Sequence, residues 1–474
     1  MLVPNFATTT RGAGSGHDQR FLGARGRDAD RGHLDDRRGR LLRSPAAGRP
    51  RAAGRSRLTA NIRGSAEGLG SAALVAAITL YAAFNAGGYF PDTFGVIAAV
   101  LLLGLALRVA VVERPFAGWS RRLALPAAAL ALFAGWSLLS AAWSGAAGRT
   151  LLEACRVLPY LLALLVFSAS PRSPLRLRRA AGGLALAAFA VAVAALASRL
   201  APDVFPTSAN IQPDRLSFPL TYWNALALLA GIGLVICFAF AAETSGARGA
   251  RTIASGAVPL LAVTLLLTYS RGGVAITVLM LTIYLALARP RGAVAALLAS
   301  APPAAVALIA AYRADLLASA DPTTAAAAAQ GHRVAAVVIA CTVAAAAFQM
   351  LLIARVEARL AVPAALAWRL QERRTRWILA VVCAAVIAVP VIRAVAHQVN
   401  DFSARPSAAA LADTRQRLSD PSSNGRVQYW RAALDGFRGS PLNGTGAGTY
   451  QLDWWRYRAV AQTVTEAHSL YLQT

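Results

Sequence analysis

Residues 219–242 read PLTYWNALALLAGIGLVICFAFAA, a run without one charged side chain. A helix of that length rises about 36 Å, enough to cross roughly 30 Å of hydrocarbon. Its apolar residues are continuous and do not alternate at every second position, which favours a helix over a strand of a membrane barrel. A helix that is apolar on all sides needs lipid or other helices around it.

Similar runs recur on both sides of this one. We place spans at approximately 69–88, 94–112, 123–142, 150–170, 178–200, 219–242, 253–269, 272–288, 292–312, 333–354 and 377–396, with a twelfth beginning at the C-terminus. Segment 150–170 carries Glu153 and Arg156 in its first turns, and two spans meet around Ser270–Gly273 with almost no loop. The composition agrees: 57% of residues are apolar and 15% charged, with a mean hydropathy of +0.49, so the chain's main solvent is lipid. The expected fold is an all-α polytopic bundle of 11–12 spans with one long loop before the last.

Short cytoplasmic loops retain positive charge, so the arginines orient the bundle. One set of alternate loops holds Arg114, Arg121, Arg122, Arg172, Arg176, Arg178, Arg179, Arg248, Arg251, Arg289, Arg291, Arg355, Arg359, Arg369, Arg373, Arg374 and Arg376. The other short loops hold only Arg149, Arg215, Arg271 and Arg313, with Arg199 and Arg333 at helix edges. The first set is assigned to the cytoplasm. The loop from His397 to about Glu466 then lies outside, too long for its own charges to count in the rule.

The expected organisation is a disordered segment at 1–65, a helical bundle at 66–396, an extracytoplasmic loop at 397–466 and the start of a truncated final span at 467–474. The first segment carries fourteen arginines and no apolar stretch of the kind a signal peptide needs. It reads as a cytosolic basic tail near anionic headgroups, or as residues appended by an upstream start codon. The net charge of +26 is mostly accounted for by this segment and by membrane topology, so nucleic acid is not an expected partner. Cys155, Cys237, Cys341 and Cys383 fall inside spans without CxxC spacing, which argues for packing roles over disulfides or zinc.

The far end of the chain carries the most specific pattern. Asn424–Tyr450 reads NGRVQYWRAALDGFRGSPLNGTGAGTY, and EAHSLYLQT follows from Glu466. With TYSRGG at Thr268–Gly273 and RLSFPLTYWNALALL at Arg215–Leu229, these segments resemble the O-antigen ligase and polymerase family of bacterial envelope enzymes. The resemblance covers roughly residues 205–474. It departs from the family pattern at Ser469, where an Asn is usual after the histidine, and at Thr474, where the chain stops inside an expected span.

The resemblance implies transfer of a glycan from an undecaprenyl-diphosphate carrier to an acceptor hydroxyl on a glycan, lipid or protein, at the outer face of the cell membrane. The chemistry supports the residue types. Negative charge collects on the departing diphosphate, and guanidinium groups meet phosphate oxygens in a two-pronged geometry while staying charged. Arg215, Arg271, Arg426 and Arg431 are the candidate diphosphate ligands, and an arginine at membrane depth such as Arg271 is costly enough to need a reason. His468 is the candidate catalytic base, since a neutral imidazole accepts the proton of an attacking hydroxyl.

The segment Asn424–Gly439 is expected to be an amphipathic helix capped by Ser422, Ser423 or Asn424, with Val427, Trp430, Leu434 and Phe437 facing the bilayer or the spans. Gly444, Gly446 and Gly448 read as a plain turn or a phosphate cradle. Trp430, Tyr450, Trp454, Trp455 and Tyr457 suit sugar stacking or an interfacial belt equally. His332 and His397 lack motif neighbours. Asp92 is the only carboxylate of the first outer loop, so cofactor-free transfer without a metal is expected. The rival functions are a lipid-linked glycan flippase, which would place ionisable groups near the midplane, and an inactive remnant.

Overall fold

A computed structural model describes residues 68–206, 214–318, 324–355, 414–418, 422–423 and 425–469. Segment 1–65, the expected span 377–396, Cys383, His397 and Asn424 lie outside these residues, as does most of the expected final span. The order is α1 (Gly68–Phe84), α2 (Pro91–Val111), α3 (Arg121–Leu139), α4 (Ala147–Ala169), α5 (Pro174–Leu200), α6 (Trp223–Ala242), α7 (Arg248–Leu267), α8 (Arg271–Ala288), α9 (Ala293–Tyr312) and α10 (Ala325–Arg355). Among the described residues two shorter helices follow, α11 (Arg426–Gly439) and α12 (Tyr450–Tyr457).

Helices α2 to α10 are long and apolar enough to cross a membrane, and α1 is a shorter apolar helix. Ten expected spans therefore coincide with helices. The largest boundary difference is in α10, which starts at Ala325 and not near residue 333. Its first turns are an alanine run, the residue with the highest intrinsic helix propensity.

The bundle closes around α7, which packs against α5, α6, α9 and α10 and is the most enclosed helix. Small residues let these helices approach, as van der Waals contact between backbones demands where lipid supplies no hydrophobic drive. At Gly233 of α6, an added Cβ would stand 2.7 Å from the Ala188 Cβ of α5 and 3.3 Å from Leu261 of α7. Gly233→Val is thus expected to overpack this crossing and lower stability by about 1–3 kcal/mol. A thermal unfolding midpoint in detergent equal to that of the native protein would contradict the close packing.

Alternate connections gather at one end of the bundle, and the segment 414–469 touches five of them. Tyr89, after α1, donates to Glu466 Oε1 at 2.9 Å. Between α3 and α4, Trp143 Nε1 donates to the Asn443 carbonyl at 3.0 Å; Thr150 Oγ1, early in α4, donates to that of Ala447 at 2.8 Å. Before α6, Asp214 Oδ2 accepts from Thr414 at 2.6 Å. Arg271 at the start of α8 donates to the Ser422 carbonyl at 2.8 Å, and Arg415 pairs with Asp315 after α9. At the opposite, arginine-rich end, Arg178 pairs with Glu243 at 3.1 Å and Gly292 N–H meets the Ala242 carbonyl at 3.2 Å.

Candidate functional site

The chain reverses between α7 and α8 in three residues, Thr268–Ser270, and this tight link builds the first half of the site. Ser270 caps α8 by accepting the Gly273 N–H at 3.1 Å, satisfying one of the free donors of a helix start. Its hydroxyl also donates to Asn224 Oδ1 at 2.7 Å, fastening the turn to the first turn of α6. Arg271 is thereby held as the first residue of α8, half-buried at the end of the bundle.

Arg215 supports the same turn from beneath. It is buried, with Nε 3.0 Å from the Thr268 carbonyl and Nη2 2.9 Å from that of Tyr269. Its guanidinium carbon lies 4.3 Å from the centroid of the Trp223 ring, a cation–π contact. Burial lowers its pKa to about 9, and the nearby cations Arg417 and Arg271 push in the same direction. Arg215 remains a cation at neutral pH.

The second half of the site comes from the C-terminal segment. Helix α11 begins behind Gly425, whose φ of 85° makes the turn, and no side chain caps it. This corrects the expected side-chain cap: buried Ser422 and Ser423 pack under the helix start, and the Ser423 carbonyl takes the Arg426 N–H at 3.3 Å. The buried face is Tyr429, Ala432, Ala433 and Gly436, which joins Tyr450, Trp454, Val464 and Ala467 in a small core. Of the expected apolar stripe, Leu434 and Phe437 stay exposed, whereas Trp430 is half-buried and packs against this small core.

Two aromatic assignments change with this core. Trp454 is fully buried and donates to the Gln462 carbonyl at 2.7 Å, while Tyr450 donates to that of Tyr429 at 3.0 Å. Neither is a free stacking platform, because filling the interior of so small a module takes its largest rings. Trp455 is exposed. The glycine turn is a docking surface: Gly446 has φ 106°, and a Cβ there would stand 2.6 Å from Ser144 Cβ on the α3–α4 connection.

His468 emerges beside this core. Its ring centroid lies 5.8 Å from that of Tyr429, and its backbone is left-handed at φ 52°. Packing lowers its pKa below the usual imidazole value, Arg426 lowers it further, and Glu466 opposes them. A neutral ring at pH 7 follows. Glu466 is fixed by Tyr89, whose backbone carbonyl accepts from Arg156 at 3.1 Å and whose ring lies 4.9 Å from the Arg156 guanidinium. Arg156 in turn pairs with Glu153 at 2.7 Å, so these two charges within α4 offset each other.

Arg215, Arg271, Arg426 and His468 thus stand along one continuous set of contacts at one end of the bundle. Arg271 meets Ser422, Ser423 meets the start of α11, and Arg426 is close enough to His468 to act on its charge. Arg431 lies exposed on α11. His332 pairs with Asp203 at 2.9 Å, a structural contact. Among the described non-glycine residues with positive φ, Thr221, Tyr269 and His468 all belong to this region. Such strained conformations concentrate at functional sites. Asn224, Arg417, Tyr89 and Glu466 were not singled out from the sequence. Asn224 and Glu466 lie inside the segments that carried the resemblance, whereas Arg417 and Tyr89 have no motif around them.

A family model described as O-antigen ligase matches residues 324–474, roughly the C-terminal third of the chain. The match includes α11, the glycine turn and His468, and it supports assignment to the O-antigen ligase and polymerase family. No curated protein and no solved structure matches the chain.

Proposed function

We propose that this multi-pass membrane protein, matched over its C-terminal third by the O-antigen ligase family, moves a glycan from an undecaprenyl-diphosphate carrier to an acceptor hydroxyl outside the cytoplasmic membrane. Glycan transfer in envelope polysaccharide biosynthesis is what the family match supports. The carrier, the acceptor and the face are our inference. The observation that carries it is the gathering of Arg215, Arg271, Arg426 and His468 at the end of the bundle that holds few loop arginines.

In this mechanism the acceptor oxygen attacks the anomeric carbon and its proton passes to the His468 ring. The bond from that carbon to the diphosphate oxygen breaks, and its electron pair leaves with undecaprenyl diphosphate. The arginines meet the charge that develops there, the kind of preorganised electrostatics that carries the largest share of many rate enhancements. His468 then returns its proton to water. The charge is neutralised by guanidinium groups, so transfer is expected to persist in EDTA.

Purified full-length protein in proteoliposomes, given radiolabelled undecaprenyl-diphosphate glycan and an acceptor glycan, should move the label to the acceptor and release the lipid diphosphate. Label that crosses the bilayer still attached to lipid would identify a flippase, and label that does neither would identify an inert chain. Membrane-impermeant labelling of single cysteines at residues 145 and 458 in intact cells tests the face. Reaction only after permeabilisation would reverse the orientation.

A further inference from the structure

Resting on the glycosyl-transfer assignment, a second feature deepens the same site. The short turn Thr414–Leu418 is tied down on both sides of Arg417. Thr414 donates to Asp214 at 2.6 Å, the residue before Arg215, and Leu418 packs into the core that includes Leu216, Leu220 and Tyr269. Arg415 is anchored separately, on Asp315 and the Tyr312 carbonyl. Arg417 is therefore presented over the strand of chain that carries Arg215 by structure that does not depend on Arg417 itself.

Among the described residues its guanidinium has no hydrogen-bond or ion-pair partner. The Arg417 Nε is buried, with no hydrogen-bond partner among the described residues. The nearest carboxylate on that strand, Asp214, is engaged by Thr414. A few residues on, Ser423 is 2% exposed and its hydroxyl also lacks a partner, next to the Ser422 carbonyl that takes Arg271. Buried donors without acceptors are costly, and like charges brought together add to the cost. A bound anion with several acceptor oxygens removes both penalties at once.

We propose that Arg417 and the Ser423 hydroxyl complete, with Arg215 and Arg271, a cradle for the two phosphates of the lipid carrier. Arg417 supplies a two-pronged contact to one phosphate and Ser423 a single donor beside it. The C-terminal segment then does more than deliver His468: it adds donors to the diphosphate site from one side, while the α5–α6 connection and the start of α8 form the other.

The test uses the full chain in nanodiscs of zwitterionic lipid, with undecaprenyl diphosphate as the probe and inorganic pyrophosphate as competitor. Arg417→Gln is expected to weaken undecaprenyl diphosphate binding roughly ten- to hundredfold, and Ser423→Ala roughly two- to tenfold. Arg417→Lys should recover part of the loss, and pyrophosphate should compete less well in each variant. Thermal melting of Ser423→Ala should match the native protein, which keeps the result readable if Arg417→Gln folds poorly. Unchanged affinity in Arg417→Gln and Ser423→Ala, with a loss in Arg271→Ala, overturns this proposal and leaves glycosyl transfer standing. Unchanged affinity in all three overturns both. Loss of affinity only for added anionic phospholipid identifies a headgroup site and also overturns the cradle.

Discussion

His468→Ala should lower turnover about 10²- to 10⁴-fold in the transfer assay while leaving donor binding within a few-fold of native, because a general base acts in the transition state and not in the ground state. The pH profile is the sharper readout. A base must be neutral to work, so activity should fall as pH drops through the His468 pKa, which lies below the usual imidazole value. Arg426 lowers that pKa, so Arg426→Ala should move the acid limb to higher pH. Glu466 raises it, so Glu466→Gln should move the limb to lower pH. A His468→Ala enzyme with native turnover, or an acid limb that ignores both neighbours, would remove His468 from the mechanism.

The bundle was legible because a lipid-facing helix declares itself in every residue. Ten expected spans meet helices in the structure, and Glu153 and Arg156, the charges in the first turns of the expected span 150–170, pair with each other. Arg215 and Arg271 were visible as cations where the charge rule disfavours them. What the sequence could not show is pairing at long range. Nothing in the neighbourhood of Tyr89 announces that its hydroxyl meets Glu466, nor that Arg417 would be set above Arg215 by Thr414. The aromatic residues of the loop misled for a related reason. A Trp-rich stretch has the same composition whether it stacks on sugar or fills a small core, and only folding distinguishes Trp454, which is buried, from Trp455, which is exposed.

The second large effect is expected at Arg215, and its pattern separates a scaffold role from a charge role. In the proposed mechanism Arg215→Ala removes a cation that meets the leaving diphosphate, for which the loss of one preorganised donor implies roughly 10²- to 10³-fold in kcat/KM. It also strips the Thr268 and Tyr269 carbonyls of their donors at the turn that aims Arg271. Each orphaned carbonyl costs about 1–3 kcal/mol, so the melting temperature should fall as well. Arg215→Lys decides between the two contributions. An ammonium keeps the charge but cannot span both carbonyls in the fork of a guanidinium or stack as well on Trp223. Activity in Arg215→Lys should therefore stay closer to Arg215→Ala than to native, whereas Arg271→Lys, where charge matters more than a fixed fork, should retain more. Near-native kcat/KM in Arg215→Lys would show that the turn does not depend on this fork, and Arg215 would then have to be assigned to charge alone.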